Sequence, residues 1–209
     1  MCGRYTLSLV DGKAIADRFS LPEPPVSETL GRCNVCPTES IAVVLPGPRA
    51  RAVRWGITPR GERGWSPINA RAESALRNGL WARLLRQGRC LVLADGWYEW
   101  LKAEKRSEPR VPFRYTIDDG APFAFAGLTD GHSAAILTTR ANSVCAPVHD
   151  RMPCVLDGPD AEAAWLAGAL DALELAPLAE ARVTVAPANP AVNRAGVEGF
   201  ELLSAPPRG

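Results

Sequence analysis

The chain has 209 residues, 46% of them hydrophobic and 22% charged, the balance of an ordinary folded protein long enough to bury a sizeable core. Net charge is +1, so bulk electrostatics does not announce a nucleic-acid partner. No apolar run approaches the ~20 residues that a membrane span needs, and the N-terminus lacks the basic and apolar stretches of a signal peptide, so a cytoplasmic location without membrane contact is the default expectation.

Taken in order, residues 8–19 read as a short helix with Ile15 and Phe19 four apart, and 21–32 as a proline-rich loop. Residues 41–47 read as a strand closed by a turn. Residues 73–88 place Leu76, Leu80 and Leu84 at helical spacing, with Gly88 as the stop. "RCLVLADGWYEW" (89–100) begins as a buried strand. Further strands are expected over 112–117, 122–128 and 134–139, punctuated by Asp-Gly turns, and a late one over 181–187. The clearest helix is 158–175, with Pro159 in its first turn. Strands between helices, with no repeat or low-complexity linker, predict a single α+β domain over 1–209 with a mainly antiparallel sheet.

Six cysteines occur, Cys2, Cys33, Cys36, Cys90, Cys145 and Cys154; without a secretory signal they are expected as thiols. "CNVC" (33–36) has metal-ligand spacing, but no second C-x-x-C supplies the other ligands of a tetrahedral zinc, so neither metal nor cofactor is expected. The 24 basic residues are three lysines and otherwise arginine, which suits bidentate phosphate contacts. Abundant Ala, Gly and Pro make coding bias the simpler source of that total.

Four short stretches concentrate chemistry. Cys2 follows the start methionine, so loss of Met1 would leave a thiol and a free α-amine on one residue. In "NARAE" (69–73), Asn69, Arg71 and Glu73 alternate and would share a face if extended. In "DGWYEW" (95–100), Glu99 sits among aromatics, where desolvation would raise its pKa and make it a proton donor and acceptor. His149 lies in the polar "VHDRMP" (148–153), whereas His132, in an Asp-Gly turn, reads as solvated surface.

Together with "MCGRYT" (1–6), "RCNVCP" (32–37) and "RWGITP" (54–59), these stretches resemble the SOS-response-associated peptidase family in content and order. The resemblance runs from residue 2 to about 157 and is looser beyond about 190. It implies an α+β domain with a distorted, barrel-like sheet and flanking helices. It also implies binding of single-stranded DNA and covalent capture of abasic sites through Cys2, in a damage response at the nucleoid. The implied catalytic set is Cys2, Asn69, Glu99 and His149; Arg4, Arg71, Thr138 and Arg151 would contact DNA or shape the site. A monomer is the default expectation.

The chemistry accounts for the set. A ring-opened abasic site presents an aldehyde, and a neutral amine attacks it to form a Schiff base. An α-amine has a pKa of about 7.7–8.0 against about 10.4 for lysine, so at neutral pH its neutral fraction is roughly several hundredfold larger. The thiol on the same residue then closes intramolecularly to a thiazolidine. Glu99 would shuttle protons, His149 would protonate the sugar ring oxygen, Asn69 would hold the amine, and the arginines would fix phosphates without reading sequence.

Departures bear on DNA delivery. The stretch after the Trp-Gly pair, "PRGERGWSP" (59–67), carries only Trp65 where many members have bulky aromatic wedges. Gly79 stands where the family has a phosphate-binding arginine, with Arg77 near it. Two other activities compete: a cysteine-type peptidase, acting on its own N-terminus or other chains with Cys2 as nucleophile, and a non-covalent reader of single-stranded DNA or modified bases.

Overall fold

The computed structural model describes residues 2–59, 64, 66–101 and 110–205. Among these lie the strands β1 (Tyr5–Leu7), β2 (Arg32–Val35), β3 (Ser40–Leu45), β4 (Arg49–Trp55), β5 (Asn69–Arg71), β6 (Arg89–Ala94), β7 (Gly96–Leu101), β8 (Val111–Ile117), β9 (Phe123–Thr129), β10 (Ser133–Arg140), β11 (Arg151–Pro153) and β12 (Val183–Pro187). The α-helices are α1 (Gly12–Arg18), α2 (Ala72–Ala75), α3 (Gly79–Gln87) and α4 (Gly158–Ala167).

Two sheets form. One runs β12-β8-β7-β1-β2 and is antiparallel throughout. In the other, β10-β4-β3-β6-β9 closes through a β9–β10 pairing into a distorted ring, and β5 and β11 extend it along β10. Only the β10 pairings with β4 and β5 are parallel among the described strands. The expected α+β class, mainly antiparallel and barrel-like, is the one observed.

Tyr5 joins the sheets: its ring meets Trp55 edge-on at 5.2 Å and Phe125 at 6.0 Å, the offset geometry that aromatic quadrupoles prefer. Trp97 stacks on Tyr115 at 5.1 Å in the same core. A smaller cluster of Cys33, Tyr98, Ala188, Val192 and Leu202 seats the C-terminal segment, and the Tyr98 hydroxyl donates to the Cys33 carbonyl at 2.9 Å. The tail whose sequence matches the family loosely is therefore packed over these residues.

Two helices differ from the expectation. The segment 73–88 is broken into α2 and α3, because the Asn78 side chain accepts from the amides of Leu80 and Trp81 and caps a new helix. Within α3, Trp81, Leu84 and Leu85 face the core while Arg83 and Arg86 face outward. Gly88 does end α3, and it is required there by space: a Cβ would lie 2.0 Å from the Thr129 carbonyl oxygen. The helix expected over 158–175 stops at Ala167, where Gly168 takes a left-handed φ of 77°, and a short 3-10 turn over Ala172–Glu174 follows under its own capping box.

The corner between β6 and β7 positions the N-terminus. The buried Asp95 carboxylate accepts from the Thr6 hydroxyl (2.5 Å), the Ser8 amide (2.6 Å) and hydroxyl (2.8 Å), and the Leu9 amide (3.0 Å). These bonds tie β1 beside β7 in the register Tyr5↔Trp97 and Thr6↔Gly96. Gly96 has no room for a Cβ, which would meet the Thr6 hydroxyl and the Tyr115 carbonyl at 2.9 Å.

Candidate active site

The β1–β7 register decides where Cys2 lies. The Tyr98 amide donates to the Arg4 carbonyl at 2.9 Å, and the chain beyond Arg4 brings Cys2 within reach of the Glu99 charge. Cys2 is 0% exposed and its thiol donates weakly to the Arg4 carbonyl at 3.8 Å. Burial pushes the thiol pKa well up, the Glu99 charge raises it further, and the terminal amine works in the opposite sense.

Glu99 is 5% exposed, between Tyr98 and Trp100 on β7. Burial raises its pKa; the terminal amine pulls it down, and the charge of Asp150 adds to the rise. Its charge reaches the Cys145 thiol, which burial and then Glu99 push up to about 12. A desolvated carboxyl beside the first residues of the chain is thus what the aromatic setting of "DGWYEW" foretold.

β10 gathers the remaining pieces. It pairs in parallel with β5 in the register Ile136↔Asn69 and Thr138↔Arg71, and antiparallel with β11, Arg140 opposite Arg151. Asn69 so placed donates its Nδ2 to the Cys2 carbonyl at 2.7 Å. Its Oδ1 is buried with no donor among the described residues. An acceptor of that kind is costly to bury and favours a donor arriving beside Cys2.

His149 closes the turn between β10 and β11. Asn142 holds this turn, accepting from the Cys145 amide at 3.0 Å and donating to the Leu178 carbonyl at 2.9 Å, and the His149 amide donates to the Cys145 carbonyl at 3.0 Å. The Nδ1 of His149 lies 3.0 Å from the Arg151 amide and 2.9 Å from Asp150 Oδ1. One nitrogen serves both: neutral, it accepts from Arg151 and the ring proton resides on Nε2; protonated, it pairs with Asp150.

The arginines are placed unequally. Arg151 donates to the Thr138 hydroxyl from Nε (3.2 Å) and Nη2 (3.1 Å), and forms a fork with Glu73 at 3.2 and 2.9 Å. Partial burial works against ionisation of Glu73, but the Arg151 hydrogen bonds and charge outweigh it and hold its carboxyl below the usual range. Thr138 is 0% exposed and also bonds the Ala70 carbonyl, so it shapes the site by holding Arg151 and presents no surface of its own. Arg71 is exposed at the end of β5, whereas Glu73 has passed into α2 and leaves the alternation expected of 69–73. Arg4 Nη1 donates to Asn34 Oδ1 at 2.6 Å and to the Val192 carbonyl at 2.5 Å, with the guanidinium over the Trp100 ring at 5.7 Å. Trp65 lies outside the described residues.

Beside this cluster runs a groove of about 480 Å³ lined by Glu73, Arg140, Ala141, Ala146, Asp150 and Arg151. Sequence reasoning missed Asp150, Arg140 and Asp95. Asp150 and Arg140 sit within three residues of recognised positions, and Asp95 begins the "DGWYEW" stretch itself. Cys33 and Cys36, which carry the metal-like spacing, lie in different surroundings: Cys33 is in the C-terminal cluster, and the Cys36 thiol donates to the Asn34 carbonyl at 3.2 Å. Among the described residues, no group of three or more His, Cys, Asp or Glu side chains is arranged to hold a metal ion, and no helix is long and apolar enough to cross a membrane.

Known proteins resemble the chain in sequence and in fold. The chain is 35% identical over 184 residues to the abasic site processing protein YoaM of Bacillus subtilis, covering 79% of each chain. It is 29% identical to the abasic site processing protein YedK of Escherichia coli, over 97% of this chain and 99% of that one. Its fold matches a crystal structure from Bacteroides thetaiotaomicron with a TM-score of 0.83 at 19% identity, over 98% of this chain and 100% of the other. One from Bordetella bronchiseptica matches with a TM-score of 0.73 at 26% identity, over 90% and 100%. The model of the family described as SOS response associated peptidase (SRAP) matches residues 1–195, and the chain belongs to that family.

Proposed function

We propose that the protein binds single-stranded DNA and captures abasic sites covalently through Cys2 once Met1 has been removed, protecting the lesion. The observation that carries this reading is the convergence on Cys2 of Asn69, bonded to its carbonyl at 2.7 Å, and a desolvated Glu99. Two relatives named as abasic site processing proteins support the substrate class.

The Cys2 amine attacks the aldehyde carbon of the ring-opened sugar, forming a C–N bond. Glu99 relays the proton lost by nitrogen to the hydroxyl, which leaves as water and gives the imine. The Cys2 sulfur then adds to the imine carbon, its proton passing to nitrogen, so the net change is aldehyde plus cysteine to thiazolidine plus one water. The orphaned Asn69 Oδ1 is suited to accept from the Cys2 amine and hold it for attack. His149, with Nδ1 bound to the Arg151 amide, offers Nε2–H to the sugar ring oxygen as the hemiacetal opens. Arg140 and Arg151 line the groove on which phosphates would lie, Arg71 is exposed at the end of β5, and Arg4 adds charge beside Trp100.

A peptidase needs a thiolate nucleophile, and electropositive, partly exposed settings favour one. Burial and Glu99 act against that form of Cys2, so the site is better suited to imine chemistry.

Intact-protein mass spectrometry after incubation with an abasic single-stranded oligonucleotide tests the reading. The expected species lacks Met1 and has gained the oligonucleotide mass less one water. Cys2→Ala abolishes it, while Cys33→Ala and Cys145→Ala retain it. An adduct that survives Cys2→Ala would overturn the assignment.

A further inference from the structure

Arginines converge at one other place, at the far end of the ring sheet. The end of β3, the start of β4, the outer face of α3 and the β9–β10 turn enclose a groove of about 390 Å³, lined among others by Arg49, Arg83, Arg89 and Asp130. A hollow of about 140 Å³ shares Pro46, Gln87 and Arg89 with it and adds Arg86. β10 separates this trough from the groove at Arg151. Its first residues follow Asp130–Gly131, its last pairs with Arg151, and eight residues at ~3.3 Å each place its ends about 23 Å apart.

The arginines gathered here are not matched by carboxylates, whereas five others are. Arg18, Arg32, Arg114, Arg151 and Arg182 each pair with a carboxylate. Among the described residues, Arg49, Arg83, Arg86 and Arg89 form no ion pair. Asp130, the one acid lining the trough, turns its Oδ1 to the amides of His132 (3.0 Å) and Ser133 (2.7 Å) in its own turn. Arg83 and Arg86 stand one helical turn apart on the same face of α3, an arrangement that like charges disfavour. Arg89 is fixed at the floor: its guanidinium lies 4.3 Å from the Trp165 ring centroid, and Nε donates to the Leu85 carbonyl at 2.8 Å. With its Nε and Nη1 bound to main-chain carbonyls, Arg89 adds fixed positive charge beneath three exposed guanidinium groups, whose forks match a phosphate bidentately and make a cradle for a polyanion.

We propose that this trough is a second nucleic-acid site, taking the phosphodiester backbone of a segment distant from the strand held at Cys2. It reads no sequence, because guanidinium contacts to phosphate position a strand without reporting its bases. The proposal goes beyond abasic-site capture and rests on that reading only for the choice of polymer.

The test uses the full chain and a triple variant, Arg49→Gln, Arg83→Gln, Arg86→Gln; all three residues are exposed. Affinity for an intact single strand of about thirty nucleotides is measured against salt, and adduct yield on an abasic strand of about six nucleotides is measured in parallel. The variant is expected to bind the long strand about tenfold more weakly at low salt and to lose about 2 from the log–log salt slope, at roughly 0.7 per phosphate. Its adduct yield on the short strand stays at the wild-type level, and the Arg→Lys triple variant keeps most of the slope. Unchanged affinity and slope on the long strand would overturn the proposal, as would loss of the short-strand adduct in the variant alone. Saturable binding of inorganic phosphate that the variant lacks, without any effect on the long strand, would overturn the choice of nucleic acid. Failure of wild-type protein to form the short-strand adduct counts against the Cys2 reading and leaves the trough result standing by itself.

Discussion

Asn69 Nδ2 donates to the Cys2 carbonyl oxygen at 2.7 Å across 67 residues of sequence, and no other hydrogen bond among the described residues joins the N-terminal segment to β5. The bond holds Cys2, the proposed nucleophile, in place while leaving Asn69 Oδ1 buried with no donor among the described residues. Asn69→Ala is expected to cost about 1 kcal/mol of stability and to slow adduct formation at least about tenfold, because the amine loses its orientation. Urea denaturation and a timed gel assay of adduct yield check the two parts; an unchanged rate would remove Asn69 from the reaction.

Glu99 carries a pH dependence of known sign. Burial raises its pKa, so the folded protein holds the proton more tightly than the unfolded chain does. Its contribution to stability is therefore fully present below the ordinary value of 4.5 and is lost as pH rises through the raised one. Glu99→Gln stays neutral throughout and is expected to be more stable than wild type at neutral pH, with the gap closing in acid. Its adduct rate should fall about a hundredfold for want of a proton relay. Denaturation midpoints at acid and neutral pH, with rates at neutral pH, read both.

Glu73 restrains Arg151. The fork between them is half-exposed on the Glu73 side, so its loss should cost under about 1 kcal/mol. That stability is present above the ordinary carboxylate pKa of 4.5 and is lost as pH falls through the lowered one. Glu73→Gln removes a negative charge from the groove and releases Arg151 toward phosphate. Tighter binding of intact single-stranded oligonucleotide, by about two- to tenfold, is the outcome to look for by fluorescence anisotropy. Weaker binding would mean that Glu73 positions Arg151 rather than competing for it.

Asp95 does no chemistry in this scheme, yet it ties β1 to the β6–β7 corner through four hydrogen bonds. Asp95→Ala leaves several buried donors unmet and is expected to destabilise the protein by about 3 kcal/mol or more. At a temperature where the variant is still folded, its adduct yield should also drop, because Cys2 is located by the register that Asp95 holds. Thermal unfolding followed by circular dichroism, with adduct assays well below the transition, separates the two effects.

How much was legible differs from element to element. The apolar run of β6 and the aromatic crowding around Glu99 were readable because burial follows from local composition, and both behave as that composition implies. The cap at Asn78 was present in the sequence but hidden by a leucine spacing that runs across it, so one helix was expected where two exist. β5 and β11 have three residues each and no apolar periodicity; β10 alone makes them strands, by supplying partners for their backbone groups.

By itself the sequence determined the residue types: a cysteine at position 2, a carboxyl among aromatics, a histidine followed by Asp150 and Arg151, and enough alternation to build sheets. It could not determine adjacency. Asn69 and Glu99 reach Cys2, and the Asp150 charge beside His149 reaches Glu99, only because β1 pairs with β7 and because β10 takes β5 on one side and β11 on the other. Those pairings depend on register between distant strands, a collective property of backbone hydrogen bonding and core packing that no local stretch encodes. Tertiary structure likewise decided which arginines are held by side-chain partners, as Arg4 and Arg151 are, and which remain exposed around a groove whose acid, Asp130, is bound within its own turn, as Arg49, Arg83 and Arg86 do.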